Sequence, residues 1–125
     1  MSNKKELGYA GEEFAANYLQ SRDYEILARN FRFGRTAEVD IIAKTADIIV
    51  FVEVKTRNNA RYGTPAESVT LKKQQKIIQA AIKFLQGNNL FNRACRFDVI
   101  EVFANNNQNP DEWRCNHIEN AFEIN

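Results

Sequence analysis

The stretch EVDIIAKTADIIVFVEVK, residues 38–55, decides the fold of this chain. It holds two runs with strong β-propensity, Ala37 to Ala43 and Asp47 to Lys55. The connection between them, 44–46, is short, so the two runs are predicted to form a β-hairpin.

The first strand of this hairpin carries two acidic residues. Strand alternation predicts Glu38 and Asp40 on one face and Val39 and Ile41 on the other. Two carboxylates are then expected to project together from a strand whose remaining side chains are apolar.

The second strand adds an acidic and a basic residue on one face, Glu53 and Lys55. Pairing of the two strands brings Asp40 close to Glu53, and adjacent carboxylates repel unless a cation joins them. Mg²⁺ binds oxygen ligands and commonly uses one or two carboxylates with substrate phosphate. The pattern favours metal-assisted phosphodiester hydrolysis, with Asp40 and Glu53 holding the metal and Lys55 orienting or activating water.

A structural alternative stays open for the same residues. Alternation of apolar and charged side chains is routine in an antiparallel sheet with one face in solvent. A Glu-x-Lys triplet alone has low specificity.

The flanking sequence predicts two helices and three further strands around the hairpin. The order α-β-β-β-α-β-β predicts an α/β fold, a mixed central β-sheet flanked by helices with a parallel crossover through the second helix. The second helix is expected to start at the N-cap Thr70, to stop at Gly87, and to bury Leu71, Ile78, Ala81 and Leu85. The predicted elements are a helix from Lys4 to Ser21, a strand from Tyr24 to Phe31, a helix from Thr70 to Gln86, and strands from Arg96 to Ala104 and Trp113 to Ile118.

Composition indicates one folded domain over residues 1–125, with 44% hydrophobic and 26% charged residues. No apolar run approaches the roughly 20 residues of a membrane span, and no export signal is recognisable, so a cytoplasmic location is expected. Cys95 and Cys115 are expected to be reduced, small core residues. The net charge of +1 conceals a basic middle segment, residues 29–87, with a net charge of +6 that suits a nucleic-acid partner.

Several motifs occur together in order along almost the whole chain and resemble the UPF0102 (YraN-like) family. They are Gly8-Tyr-Ala-Gly-Glu12, Arg29-Asn-Phe31, Glu38-Val-Asp-Ile-Ile-Ala43, Phe51-Val-Glu-Val-Lys-Thr-Arg57, Lys73-Gln74 and Arg96-Phe-Asp-Val99. That family looks like a branch of the PD-(D/E)xK nuclease superfamily, similar to archaeal Holliday-junction resolvases. The resemblance implies a restriction-endonuclease-like fold and a metal-dependent endonuclease, acting on DNA rather than RNA and on branched or structured DNA by the resolvase analogy.

The resemblance also implies a set of site residues. Asp40 and the Glu53-Val-Lys55 triplet match the metal and catalytic core, with Mg²⁺ or Mn²⁺ as cofactor. Glu12 matches the carboxylate on the first helix, as a catalytic residue and metal ligand. Helix geometry also favours Glu12 over Glu13, which points further toward solvent. One departure is Ala37, where the family usually has glycine.

Four further residues are candidate nucleic-acid contacts. Lys73 and Gln74 resemble a basic or amide position on the helix after the catalytic strand. Arg57 and Arg61 follow the core and have the planar guanidinium that clamps phosphate. A symmetric homodimer follows from the resolvase analogy alone.

Two functions of other classes stay open. One is a nucleic-acid-binding module of nuclease fold with little or no turnover. The other is a protein-interaction domain in which the site is vestigial. Loss of cleavage with retained binding in Asp40→Asn and Lys55→Ala separates the enzyme from the binding module.

Overall fold

A computed structural model describes residues 4–58 and 69–124 of the chain. The element order is α-β-β-β-α-β-β, and this confirms the predicted α/β architecture. The elements are α1 (Lys4–Ser21), β1 (Glu25–Phe33), β2 (Ala37–Thr45), β3 (Ile48–Arg57), α2 (Leu71–Gly87), β4 (Ala94–Phe103), a 3-10 turn (Pro110–Glu112) and β5 (Arg114–Phe122).

The strands form one mixed sheet in the order β1-β2-β3-β4-β5. Neighbouring strands are antiparallel except for β3 and β4, which pair in parallel because α2 carries the chain back across the sheet. This arrangement is consistent with an α/β restriction-endonuclease-like fold. No helix in the described part of the chain is both long enough and apolar enough to cross a membrane.

The hairpin of β2 and β3 closes through two residues. Thr45 pairs with Ile48, and Ala46 between them has φ of 51°, the left-handed conformation that tight hairpin turns require. Strand β2 therefore runs two residues further than predicted, to Thr45, whereas β3 begins one residue later than predicted, at Ile48.

Each helix covers one face of the sheet, and the chain has a hydrophobic core on either side. Ile77, Ala80 and Phe84 of α2 pack against one face with Phe51 and Phe97. The core on the opposite face joins α1 to the sheet. It contains Ala15, Ala16 and Leu19 of the helix together with Ile41, Val52 and Ile100 of the strands. The sheet is thus buried on both faces along its middle strands.

The predicted alternation along β2 is wrong at Asp40. Val39 lies in the core beneath α2, whereas Ile41 lies in the core beneath α1. Opposite Asp40, Asn30 of β1 has φ of 52°, an irregular conformation between the regular pairs on either side. The strand changes face there. Asp40 therefore lies between the face that α1 covers and the face that α2 covers, where residues of both helices can approach it.

Helix α2 begins as predicted but ends one residue later, and its predicted apolar stripe is confirmed in part: Ala81 and Leu85 are buried, Ile78 is half-buried and Leu71 is exposed. The Thr70 hydroxyl accepts from the backbone N–H of Lys73 at 3.2 Å, confirming the N-cap. Gly87 belongs to the helix, and Asn89, with φ of 55°, provides the left-handed turn after it. Leu71 is 74% exposed because it lies in the first turn, away from the sheet.

The cysteines are both free thiols, but only one contacts a core. Cys115 packs at the edge of the α1 core, whereas Cys95, near the start of β4, is exposed. The expectation that both are core residues is therefore wrong for Cys95. Strand β5 also runs four residues further than predicted, to Phe122.

Candidate active site

The predicted catalytic residues of the hairpin lie where the β2–β3 ladder ends. The last regular pair on that side is Ile41 with Val52. Beyond it, one carboxylate oxygen of Asp40, Oδ2, accepts from the backbone N–H of Val54 at 2.8 Å. The Asp40 side chain thus accepts the hydrogen bond that a backbone carbonyl of β2 would accept if the ladder continued. This hydrogen bond fixes the Asp40 carboxyl beside β3.

Glu53 is almost completely buried at 3% exposure. Its Oε2 lies 3.6 Å from the Nζ of Lys55 and 3.6 Å from the Nζ of Lys73. Its other oxygen, Oε1, is buried and has no hydrogen-bond partner in the described part of the chain. Because a buried, unpaired carboxylate oxygen is costly, this atom is available for a ligand that the protein itself does not supply.

Asp40 and Glu53, here called the acidic pair, interact directly. Burial raises the pKa of Asp40 to about 8, and the neighbouring Glu53 carboxyl, by charge and by hydrogen bonding, acts in the same direction. The Val54 N–H and the Lys73 ammonium oppose this effect without cancelling it. Without a cation, the acidic pair therefore retains a proton at neutral pH.

Glu12 approaches the acidic pair from α1. Burial raises the pKa of Glu12, and the charge of Asp40 raises it further, while a hydrogen bond with Asn30 lowers it. The Oε1 of Glu12 is the second buried carboxylate oxygen without a partner among residues 4–58 and 69–124. Its neighbour Glu13 is 60% exposed and pairs with Arg29 at 2.7 Å, so the two glutamates differ as the helix geometry indicated.

The close approach of α1 to the sheet depends on a glycine. A Cβ placed on Gly11 would lie 1.8 Å from the Thr56 hydroxyl oxygen on β3. Only glycine allows this contact, and the contact brings the next residue, Glu12, toward the end of the sheet.

The first turn of α2 carries Lys73, which contacts the candidate site, and Gln74, which forms a hydrogen bond within the protein. Lys73 reaches Glu53, as described above, and its side chain remains 39% exposed. The Gln74 amide donates to the carbonyl of Val69 at 3.0 Å, which fixes the chain before the helix. In this arrangement Lys73 faces the acidic pair, and Gln74 has a structural hydrogen bond.

The two candidate arginines are placed differently. Arg57 pairs through its Nε with Glu101, a buried residue of β4. Its guanidinium is therefore held beside Glu101 rather than free in a loop. Arg61 lies outside the described residues. Sequence reasoning overlooked Glu101, although its position among apolar residues of a central strand is a signal of a buried, paired charge.

The donor set suits a cation that needs few protein ligands. Within residues 4–58 and 69–124, no three acidic, histidine or cysteine side chains are grouped so as to hold a metal ion together. Mg²⁺ commonly takes only one or two carboxylates and keeps several waters. The acidic pair, with its unpaired oxygen, fits that requirement, while Glu12 is a neighbour of the pair and not part of a three-ligand group.

A second buried charge, Asp98 of β4, was also missed. Its carboxylate accepts two hydrogen bonds from Arg96 at 2.8 Å each, one from the backbone N–H of Asn120 at 3.0 Å, and contacts His117 Nε2 at 2.7 Å. These contacts hold the pKa of Asp98 below its ordinary value despite burial. Every oxygen of this carboxylate is satisfied, so Asp98 joins β4 to β5 and offers no open site.

The comparisons with known proteins agree on the family. The sequence model of a family described as "Uncharacterised protein family UPF0102" matches residues 11–102. A UPF0102 protein of Clostridioides difficile is 50% identical over 120 residues, covering 96% of this chain and 99% of the relative. One from Caldicellulosiruptor saccharolyticus is 48% identical over 121 residues, covering 96% and 99%. The chain belongs to the UPF0102 family.

Proposed function

We propose that this protein is a metal-dependent endonuclease of the PD-(D/E)xK type that hydrolyses phosphodiester bonds in DNA. The observation that carries the proposal is the acidic pair, which is buried, is flanked by Lys55 and Lys73, and has an oxygen without a partner among residues 4–58 and 69–124. A purely structural ion pair would satisfy its oxygens, as the Asp98 carboxylate does on the same sheet.

The electrostatics of the acidic pair favour binding of a divalent cation. Two carboxyl groups in contact and out of water resist ionisation, as the pKa of Asp40 near 8 reflects. Asp40 and Glu53 would hold Mg²⁺ or Mn²⁺, with Glu12 close enough to act on its hydration shell. The metal when bound supplies polarisation of the phosphate and a lowered pKa of water.

The two lysines provide positive charge from different elements. Lys55, on β3, is 33% exposed and is accessible to solvent beside Glu53. We assign it the role of orienting the attacking water and stabilising charge that develops on the phosphate oxygens. Lys73, from α2, also contacts Glu53 and is placed to contact a phosphate that enters the same space.

Arg57 has a supporting role in this proposal. Its pairing with buried Glu101 places a fixed positive charge two residues from Lys55 on the same strand. A guanidinium held by a buried carboxylate loses less side-chain entropy when it meets phosphate than one free in solvent.

A nucleic-acid-binding module without turnover is the second candidate. The two lysines beside Glu53 support it as well, because their charges would hold a phosphate whether or not the bond is cut. The substrate preference for branched DNA rests on the resolvase analogy, so the test includes several DNA structures.

The test is cleavage of labelled single-stranded, duplex, flapped and four-way DNA with Mg²⁺, with Mn²⁺ or with chelator. Asp40→Asn and Lys55→Ala are expected to abolish cleavage and leave binding within a few-fold. Asp47→Asn is the matched control, since Asp47 is 94% exposed in the hairpin turn. Binding without cleavage on every substrate by the parent chain would replace the enzyme with the binding module.

A further inference from the structure

A cavity of about 460 Å³ lies beside the candidate active site. It is of the size of small-molecule pockets in proteins. We call it the amide cavity, because four side-chain amides line it together with apolar residues that include Ala10 and Trp113. The four amide residues are Asn58, Asn106, Asn107 and Gln108.

The amide cavity is continuous with the site. Leu7 and Asn58 line both this cavity and the adjoining cleft that contains Glu12 and Lys55. Because the two spaces share these residues, a strand whose phosphate lies in the cleft can place a nearby base in the cavity.

The chemistry of the amide cavity points to an uncharged, hydrogen-bonding ligand. None of the described residues that line it is charged, so the described lining offers no group that would hold a phosphate strongly. Each amide offers two donors and an acceptor, the groups that read the edges of bases. Trp113 is a core residue at 7% exposure that packs against Phe14, so it forms part of the cavity wall and the exposed amides provide the groups that meet a ligand.

Of the amide residues that line the cavity, one is fixed by hydrogen bonds within the protein and two are open to a ligand. The backbone carbonyl of Asn107 accepts from the Trp113 indole N–H at 2.6 Å, and its side-chain oxygen accepts from the backbone of Asn109 at 2.8 Å. By contrast, Asn58 and Gln108 are exposed, and neither side chain forms a hydrogen bond with any other described residue.

We propose that the amide cavity binds one unpaired base of the DNA strand whose scissile phosphate lies at the acidic pair. This inference rests on the proposed function, because that function places the phosphate. It names the substrate class as DNA with an unpaired base near the cut. Fully paired duplex has no free base to enter the cavity, so it is a poor substrate.

Trp113 makes the proposal directly measurable, because it is the only tryptophan in the chain. Its fluorescence is followed while a short single-stranded oligodeoxynucleotide is added in the presence of chelator. A second oligodeoxynucleotide of the same length carries an abasic sugar at every position. The base-containing strand is expected to change the fluorescence with saturation, and the abasic strand is expected to leave it unchanged.

Two variants test whether the fluorescence signal comes from binding in the amide cavity or from DNA binding elsewhere on the protein. Asn58→Ala combined with Gln108→Ala removes the two open amides and is expected to weaken the saturable signal roughly tenfold, as for the loss of two hydrogen bonds. Gln79→Ala, an exposed glutamine on α2, is the matched control and is expected to change nothing. An equal response to both strands, or no response to either, overturns the inference.

Cleavage assays on the same strands distinguish the two proposals. A single abasic sugar is moved one nucleotide at a time along the strand near the cut, and at the position whose base would fill the cavity it is expected to reduce cleavage at that phosphate. Metal-dependent cleavage that ignores the abasic sugar overturns the base site and leaves the nuclease intact. A base-dependent fluorescence response in a protein that cuts no substrate supports the base site and overturns the nuclease.

Discussion

Asp40→Asn should remove much of the pH dependence of stability in the metal-free protein. The pKa of Asp40 lies near 8 in the folded chain, compared with an ordinary value of 3.8. Between these values the folded protein keeps a proton that the unfolded chain releases. The free energy of unfolding therefore falls as pH rises through this window, and the stability present at low pH is lost by the time pH passes the folded pKa.

The size of the effect follows from the proton linkage. One proton contributes about 1.4 kcal/mol per pH unit. Ionisation of Asp40 alone should therefore lower the free energy of unfolding by roughly 3 kcal/mol between about pH 5 and about pH 7. Asparagine does not titrate, and its amide oxygen can still accept from the Val54 N–H. The variant should therefore match the parent at low pH and exceed it in stability near neutral pH.

The assay is urea unfolding in chelator at several pH values for the parent, Asp40→Asn and the control Asp47→Asn. The difference between parent and variant cancels the contributions of all other titrating groups that the substitution leaves unchanged. The reasoning is refuted if the parent and Asp40→Asn lose stability with the same slope. Added Mg²⁺ should stabilise the parent at about pH 8 and not Asp40→Asn, because the cation replaces the proton.

Two further substitutions test how the site is supported. In the same urea assay, Gly11→Ala should lower the free energy of unfolding by about 1–3 kcal/mol, because the new Cβ meets Thr56. The control Gly8→Ala places its new Cβ with nothing within 4 Å and should be neutral or stabilising. Asp98→Ala should cost about 3–5 kcal/mol of unfolding free energy because it leaves Arg96 without its buried partner, and a loss below about 1 kcal/mol would contradict that role.

Local patterns were sufficient for the architecture. The prediction of a first helix from Lys4 to about Ser21 agrees with α1, Lys4–Ser21, and all five strands occur in the predicted order. The hairpin also brings Asp40 and Glu53 together, as the predicted pairing of its two strands indicated, although the predicted alternation fails at Asp40. These features depend on side-chain periodicity and on a short turn, and both are properties of neighbouring residues.

Contacts between distant residues could not be read in the same way. The pairing of Arg57 with Glu101 joins residues 44 positions apart, and that of Asp98 with His117 joins residues 19 apart. Each depends on which strands become neighbours and in what register. The sequence analysis placed Arg57 after the catalytic core as a phosphate contact, because its partner Glu101 lies on a strand that is distant along the chain.

The sequence by itself determined the α/β class, the order of the elements and the carboxylates of the hairpin, because repeating patterns along the chain specify each of them. Only the tertiary structure decided that β2 changes face at Asp40, that Glu12 and Lys73 approach the acidic pair from opposite sides, and that Glu53 keeps one unpaired oxygen. The physical reason is that burial and charge interactions act through space, between groups whose distance is set by the packing of both helices on the sheet.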